Sequence, residues 1–202
     1  MRYGLNPLTI IMRQESPDTT NTQQEFEEVM KEARGIFADK LKDYGASWRI
    51  LRPSSLTDQL FIKAKRIRSL EITRKSWVGE GIRPEFIALI NYGIIGIIQL
   101  GKGFVDTVDI HAEEALSLYD KCAHECMTLM QRKNHDYGEA WRSMRVSSYT
   151  DLILTKIERI KEIENHDGTA KVSEGIASNY MDIINYAVFG AIRLKNGKAL
   201  QV

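Results

Sequence analysis

Lys156 and Arg159 stand three residues apart, and 93 positions earlier Lys63 and Arg66 repeat the pair. Side chains three apart are neighbours on a helix. Each pair therefore sets two cations together, and an arginine can grip a phosphate through two hydrogen bonds. The alternative partners are carboxylates, Glu80 and Glu174 first among them. Oxygen ligands for a cation are also present. Glu158 and Glu162 lie one turn apart, and a further segment carries Glu174, Ser178, Asp182 and Asn185. Glu174 and Asn185 fall about 20° apart on a helical wheel. Glu158, Glu162, Glu174 and Asp182 form a candidate set for Mg²⁺, which takes oxygen ligands in octahedral geometry. Glu158, Glu162 and Asp182 are then the candidate catalytic acids. The matching positions of the first half hold Lys65, Ser69, Glu80 and Ala88, so a metal would belong to the second half.

A third group is aromatic. Trp48 precedes Arg49, with Arg52 three residues on, and Trp141 precedes Arg142 and Arg145 in the same way. An indole can stack on a base while arginines hold phosphates; equally, a tryptophan can plug a seam between helices. Asp43-Tyr44-Gly45 and Asp136-Tyr137-Gly138 come just before, and Asn91 and Asn185 recur further on. The candidate substrate contacts are Lys156, Arg159, Asp136, Tyr137, Trp141, Arg142, Arg145 and Asn185, with Lys63, Arg66, Asp43, Trp48 and Asn91 in the first half. Asp58 and Asp151 read as helix caps.

These groups recur because the chain repeats. Residues 40–71 align without a gap on 133–164, with fifteen of 32 positions identical. After a shift of one residue, 80–100 align on 174–194 with nine of 21 identical. Core positions repeat in type, as in Leu70/Ile163 and Leu89/Ile183, whereas many polar and aromatic positions repeat in identity. Cores tolerate hydrophobic exchange, so identical polar residues ask for a more specific reason. Two copies are too few for a solenoid. They suit a pseudo-twofold pair packed face to face, as in a homodimer.

The elements that position these residues read as three helices per unit. Phe26, Val29, Met30, Ala33 and Phe37 have helical spacing over residues 23–42, matched by 111–133. A loop with the tryptophan comes next. Ser55-Leu56-Thr57-Asp58 and Ser148-Tyr149-Thr150-Asp151 have the capping-box pattern for a second helix. The third helix, from about Glu80 or Glu174, is apolar nearly all round and should be the buried centre. No strand-like alternation appears. The fold class is all-α, two tandem three-helix units in a pseudo-twofold bundle. Residues 1–22 read as a flexible lead-in, with Met12 an alternative start, and residues 23–101 and 110–198 as the two units of one body.

A formal net charge of +1 over 202 residues carries no global basic signature, so no stable nucleic-acid complex is expected. Cys122 and Cys126 are too few for a disulfide scaffold and read as small apolar residues of a helix. No run reaches the roughly 18 uninterrupted apolar residues of a membrane span. A cytoplasmic, reducing location is the natural expectation, and a homo-oligomer is compatible with it.

Through its Lys…Asp-Tyr-Gly…Trp, Ser-Ser-x-Thr-Asp, Lys-x-x-Arg-Ile and Glu…Asn-Tyr elements, the sequence resembles the DUF1599 family, nucleotide modification associated domain 1, in both halves. The resemblance implies a nucleotide context. More distantly it is similar to the MazG-like all-α nucleoside triphosphate pyrophosphohydrolases, which hold Mg²⁺ with Glu-x-x-Glu and Glu-x-x-Asp. The counterparts here are Glu158-x-x-x-Glu162 and Asp182-x-x-Asn185; the first departs in spacing, the second by an asparagine. The expected function is a small-molecule nucleotide-binding protein, with Mg²⁺-dependent pyrophosphohydrolysis as its catalytic form. A non-catalytic binding or regulatory module and a ligand-free helical scaffold are the alternatives.

Overall fold

The computed structural model describes residues 19–74, 81–166 and 175–196. Its helices, in chain order, are α1 (Thr19–Tyr44), α2 (Pro53–Thr73), α3 (Arg83–Lys102), α4 (Ala112–Tyr137), α5 (Val146–Asn165) and α6 (Ile176–Asn196). No strand occurs among the described residues, so the chain is all-α. The stripe Phe26, Val29, Met30, Ala33, Phe37 and Leu41 buries one face of α1. In the same register α4 buries Tyr119, Cys122, Cys126, Met130 and Asn134. The helix begins at Thr19 rather than at residue 23, and Thr22 is already buried. The two thiols are core side chains, and burial pushes that of Cys122 up to about 11.

Gly45 and Gly138 end α1 and α4 in the left-handed region, at φ +63° and +58°, where glycine carries no Cβ penalty. Each unit then makes a 3-10 turn, Ser47–Ile50 and Ala140–Ser143, where a loop was expected. The capping-box expectation is also corrected. α2 and α5 start earlier, after Arg52 and Arg145, with no side-chain cap. Pro53 opens α2, its fixed φ suited to a first helical position. Thr57 and Thr150 are therefore inside the helices. Thr57 donates to Glu164 at 2.8 Å and Thr150 to Glu71 at 3.0 Å. The same hydroxyl meets the same carboxylate of the other unit in both directions, the signature of a twofold contact. Asp58 is exposed, and Asp151 pairs with Arg68 across the units instead of capping a helix.

The third helices form the centre. A Cβ on Gly96 would lie 2.7 Å from the Tyr180 ring, and one on Gly190 2.7 Å from the Phe86 ring. Phe86 and Tyr180 occupy matching positions, as do the two glycines. Each third helix thus presses an aromatic ring onto the bare backbone of the other. Around this axis α3 packs on α6, α2 on α5 and α1 on α4, while α1 also reaches α6 and α4 reaches α3. One continuous core results. Among the described helices α3 is long and apolar enough to cross a membrane, but 67% of that stretch is buried within the bundle.

Candidate functional site

Each unit opens a pocket at the same place, between its first helix, its 3-10 turn and its third helix. The first has a volume of about 510 Å³ and is walled by Phe37, Trp48, Ile87 and Ile95, with Lys40, Tyr44 and Asn91 also on its lining. The second, about 310 Å³, is walled by Met130, Trp141, Met144 and Phe189, with Lys133, Tyr137, Asn185 and Asp182. Lysine, tyrosine, tryptophan and asparagine sit at matching positions in the two. The second is smaller where Phe189 replaces Ile95, and the Phe189 ring stacks on Trp141 with centroids 4.4 Å apart.

The polar atoms of the linings differ in a telling way. The Trp48 and Trp141 indole nitrogens are buried without an acceptor among the described residues. Asn91 is fully used: its Nδ2 donates to the Ala33 carbonyl at 3.0 Å, and its Oδ1 accepts from the Tyr119 hydroxyl at 2.8 Å. Asn185 is 4% exposed, yet neither its Nδ2 nor its Oδ1 has a hydrogen-bond partner among the described residues. The residue that matches Tyr119 in the first unit is Phe26, which carries no hydroxyl.

The cations are arranged around buried acids. Asp182 receives Lys133 at 2.5 Å on Oδ1 and Lys156 at 2.6 Å on Oδ2. In the first unit Lys63, at 3.2 Å, and Arg66 both pair with Glu85. Glu85 matches Asn179, and Asp182 matches Ala88. The acid has moved by one helical turn between copies while the basic residues have stayed. Glu80 and Glu174, expected as partners, lie outside the described residues. Arg159, expected to face inward with Lys156, is exposed on α5. Lys40 is exposed on the first pocket's lining, with no acid at position 88 to hold it.

Residues 40–100 and 133–194 match the family described as nucleotide modification associated domain 1. The chain belongs to the nucleotide modification associated domain 1 family. Each matched stretch runs from a pocket lysine to the end of a third helix, so the chain carries the domain in tandem. No curated protein and no solved structure gives a match.

Within the two nucleotide modification associated domains, several expected site residues are placed elsewhere. Glu158 and Glu162 are exposed on α5, away from the buried Asp182, whose oxygens both face ammonium groups. Of the candidate Mg²⁺ set, Glu174 lies outside the described residues, and the three described members are not brought together. Among the described residues no group of three or more His, Cys, Asp or Glu side chains is placed to hold a metal. The arginines beside the tryptophans are structural. Arg49 is buried and bonds Gln99, the Gly103 carbonyl and both oxygens of Asp109, closing the linker. Arg142 lies over the Trp141 ring at 4.4 Å and pairs with Glu25 and Glu139. Trp141 is thus enclosed between Phe189 and Arg142, a wall rather than an open stacking platform. Asp43, Asp136 and Arg145 are exposed and outside both linings. Lys40 and Lys133 were not expected as site residues, although their identity in the repeat was the available signal. Glu85 left no such signal, because its match is an asparagine.

Proposed function

We propose that each domain binds a nucleotide in its pocket, base inward and phosphate toward the lysine at its edge. One observation carries the reading. The residues repeated in identity, Trp48/Trp141, Tyr44/Tyr137, Asn91/Asn185 and Lys40/Lys133, converge on two equivalent cavities, and in each the indole N–H is a buried donor awaiting an acceptor. Unpaired buried donors are uncommon and costly. A flat ring with a carbonyl or ring-nitrogen acceptor would satisfy this one against apolar walls, the usual make-up of a small-molecule site. At the second pocket two lysines face one aspartate, which leaves positive charge for a phosphate.

The second reading, metal-assisted pyrophosphohydrolysis of the MazG-like kind, asks for carboxylates that converge. Asp182 is engaged by lysines and Glu158 and Glu162 face outward, so binding is the function favoured. Calorimetric titration of the full chain with nucleoside mono- and triphosphates, alongside tryptophan fluorescence, tests both. The expected result is saturable binding that perturbs indole emission and is weakened in Trp141→Phe or Trp48→Phe, without Mg²⁺-dependent pyrophosphate release. Absence of binding to every nucleotide would overturn the proposal.

A further inference from the structure

We propose that the two pockets are not redundant: the second discriminates between nucleobases through the Asn185 side-chain amide, and the first does not use Asn91 in this way. The inference rests on the nucleotide-binding reading and assigns its specificity to one residue. An asparagine amide presents a donor and an acceptor side by side. A nucleobase edge offers the complementary pair, and amide-to-base pairing is a standard means of reading it. Asn91 has spent both groups inside the protein, on Ala33 and Tyr119. Asn185 has spent neither, although it is 4% exposed and lines the cavity. A buried amide with no partner destabilises the fold by its desolvation. Leucine at this position would avoid that cost, so the amide asks for a reason other than the stability of the fold.

The sequence supplies the means by which the amide oxygen was left open. α1 and α4 are both 26 residues long and stand 93 positions apart, so their registers correspond without a gap. α4 brings Tyr119 to α3, where its hydroxyl fills Asn91 Oδ1. α1 packs on α6 by the same symmetry, but brings Phe26, fully buried, to that register. The tyrosine hydroxyl thus accounts for the difference at the amide oxygen, while the Cys126 carbonyl, which matches that of Ala33, takes no hydrogen bond from Asn185 Nδ2. The ligand class is a nucleotide whose base carries an adjacent hydrogen-bond donor and acceptor on its ring edge.

The test is isothermal titration of the full chain with the 5′-monophosphates of the common ribo- and deoxynucleosides, and with the ring-N-methylated analogue of whichever binds best. Two variants are compared with the parent. Asn185→Leu removes the amide, and Phe26→Tyr offers it an internal partner. Each is expected to weaken the preferred monophosphate by about 10- to 100-fold, to flatten the preference among bases, and to raise the melting temperature. The methylated analogue should bind the parent about as weakly as the unmodified ligand binds Asn185→Leu. A lower melting temperature for Asn185→Leu with an unchanged base preference would make Asn185 a structural residue and overturn this inference alone, leaving the binding reading intact. Failure of every monophosphate to bind the parent would overturn both.

Discussion

Tyr119→Phe isolates one of the two hydrogen bonds that Asn91 makes and Asn185 lacks. The change deletes one buried oxygen and leaves the ring, which keeps its stacking on Phe37 at 4.8 Å. No cavity of methylene size forms. The substitution removes the 2.8 Å bond to Asn91 Oδ1, and an amide oxygen is left without a donor in the core. A buried polar atom stripped of its partner costs about 1–3 kcal/mol. For a chain of this length each kcal/mol corresponds to about 2–4 °C in melting temperature. The expected fall is therefore about 2–12 °C, read by circular dichroism in parallel with urea unfolding. A double-mutant cycle sharpens the test. In an Asn91→Leu background the Tyr119 hydroxyl has no amide to serve, so adding Tyr119→Phe should be neutral or stabilising. An equal loss in both backgrounds, or no loss in the parent, would refute the account of Asn91 as internally satisfied and weaken the contrast with Asn185.

Gly96→Ala and Gly190→Ala should each destabilise by about 1–3 kcal/mol through contact with Tyr180 and Phe86, although alanine is favoured by about 1 kcal/mol within a helix; urea midpoints above the parent's would contradict the close crossing. Burial raises the carboxyls of Glu71 and Glu164 above their ordinary value, with bonds from Thr150 and Thr57 opposing the shift. The folded state then holds these protons more tightly than the unfolded one, so stability falls as pH rises from the ordinary carboxylate value through the raised one. Glu71→Gln and Glu164→Gln should remove that part of the slope in unfolding free energy measured against pH, and an unchanged profile would count against it. Cys122 and Cys126, both with thiols pushed up by burial, should resist alkylation in the native protein and react once it is unfolded, as tracked by mass spectrometry.

The helices were legible because their stripes are periodic and because the repeat tests each assignment twice. The twofold packing was implicit in the same alignment, and the exchange of Thr57–Glu164 for Thr150–Glu71 is its consequence. The start of the second helix was misread, because Ser-x-x-Asp resembles a cap whether or not the backbone has already turned helical. The site was half visible. Repetition of Trp48/Trp141 and Asn91/Asn185 singled out pocket residues, but it also singled out Arg49 and Arg142, whose specific reason for persisting is internal ion pairing. Glu158 and Glu162 do not join Asp182 because sequence proximity on α5 does not say which way a side chain points: the two share the exposed side, while Lys156 reaches Asp182. Glu85 was hidden for a different reason. Charge balance beside Lys63 and Arg66 is met one turn away from where the second copy meets it beside Lys156, and position-by-position comparison cannot detect a partner that has changed rows.

Phe26 and Tyr119 also bear on what covalent fusion makes accessible. In a homodimer of identical single domains, any substitution appears in both subunits at once, so both asparagines would be tied or both open. An ancestor with two open amides would carry the instability twice; one with two tied amides would have no reading group at all. Joining the copies into one chain halves the dose of every mutation. A hydroxyl can then settle one side of the axis while the other side keeps an unquenched amide, the sturdier half supporting the half that is left unsatisfied.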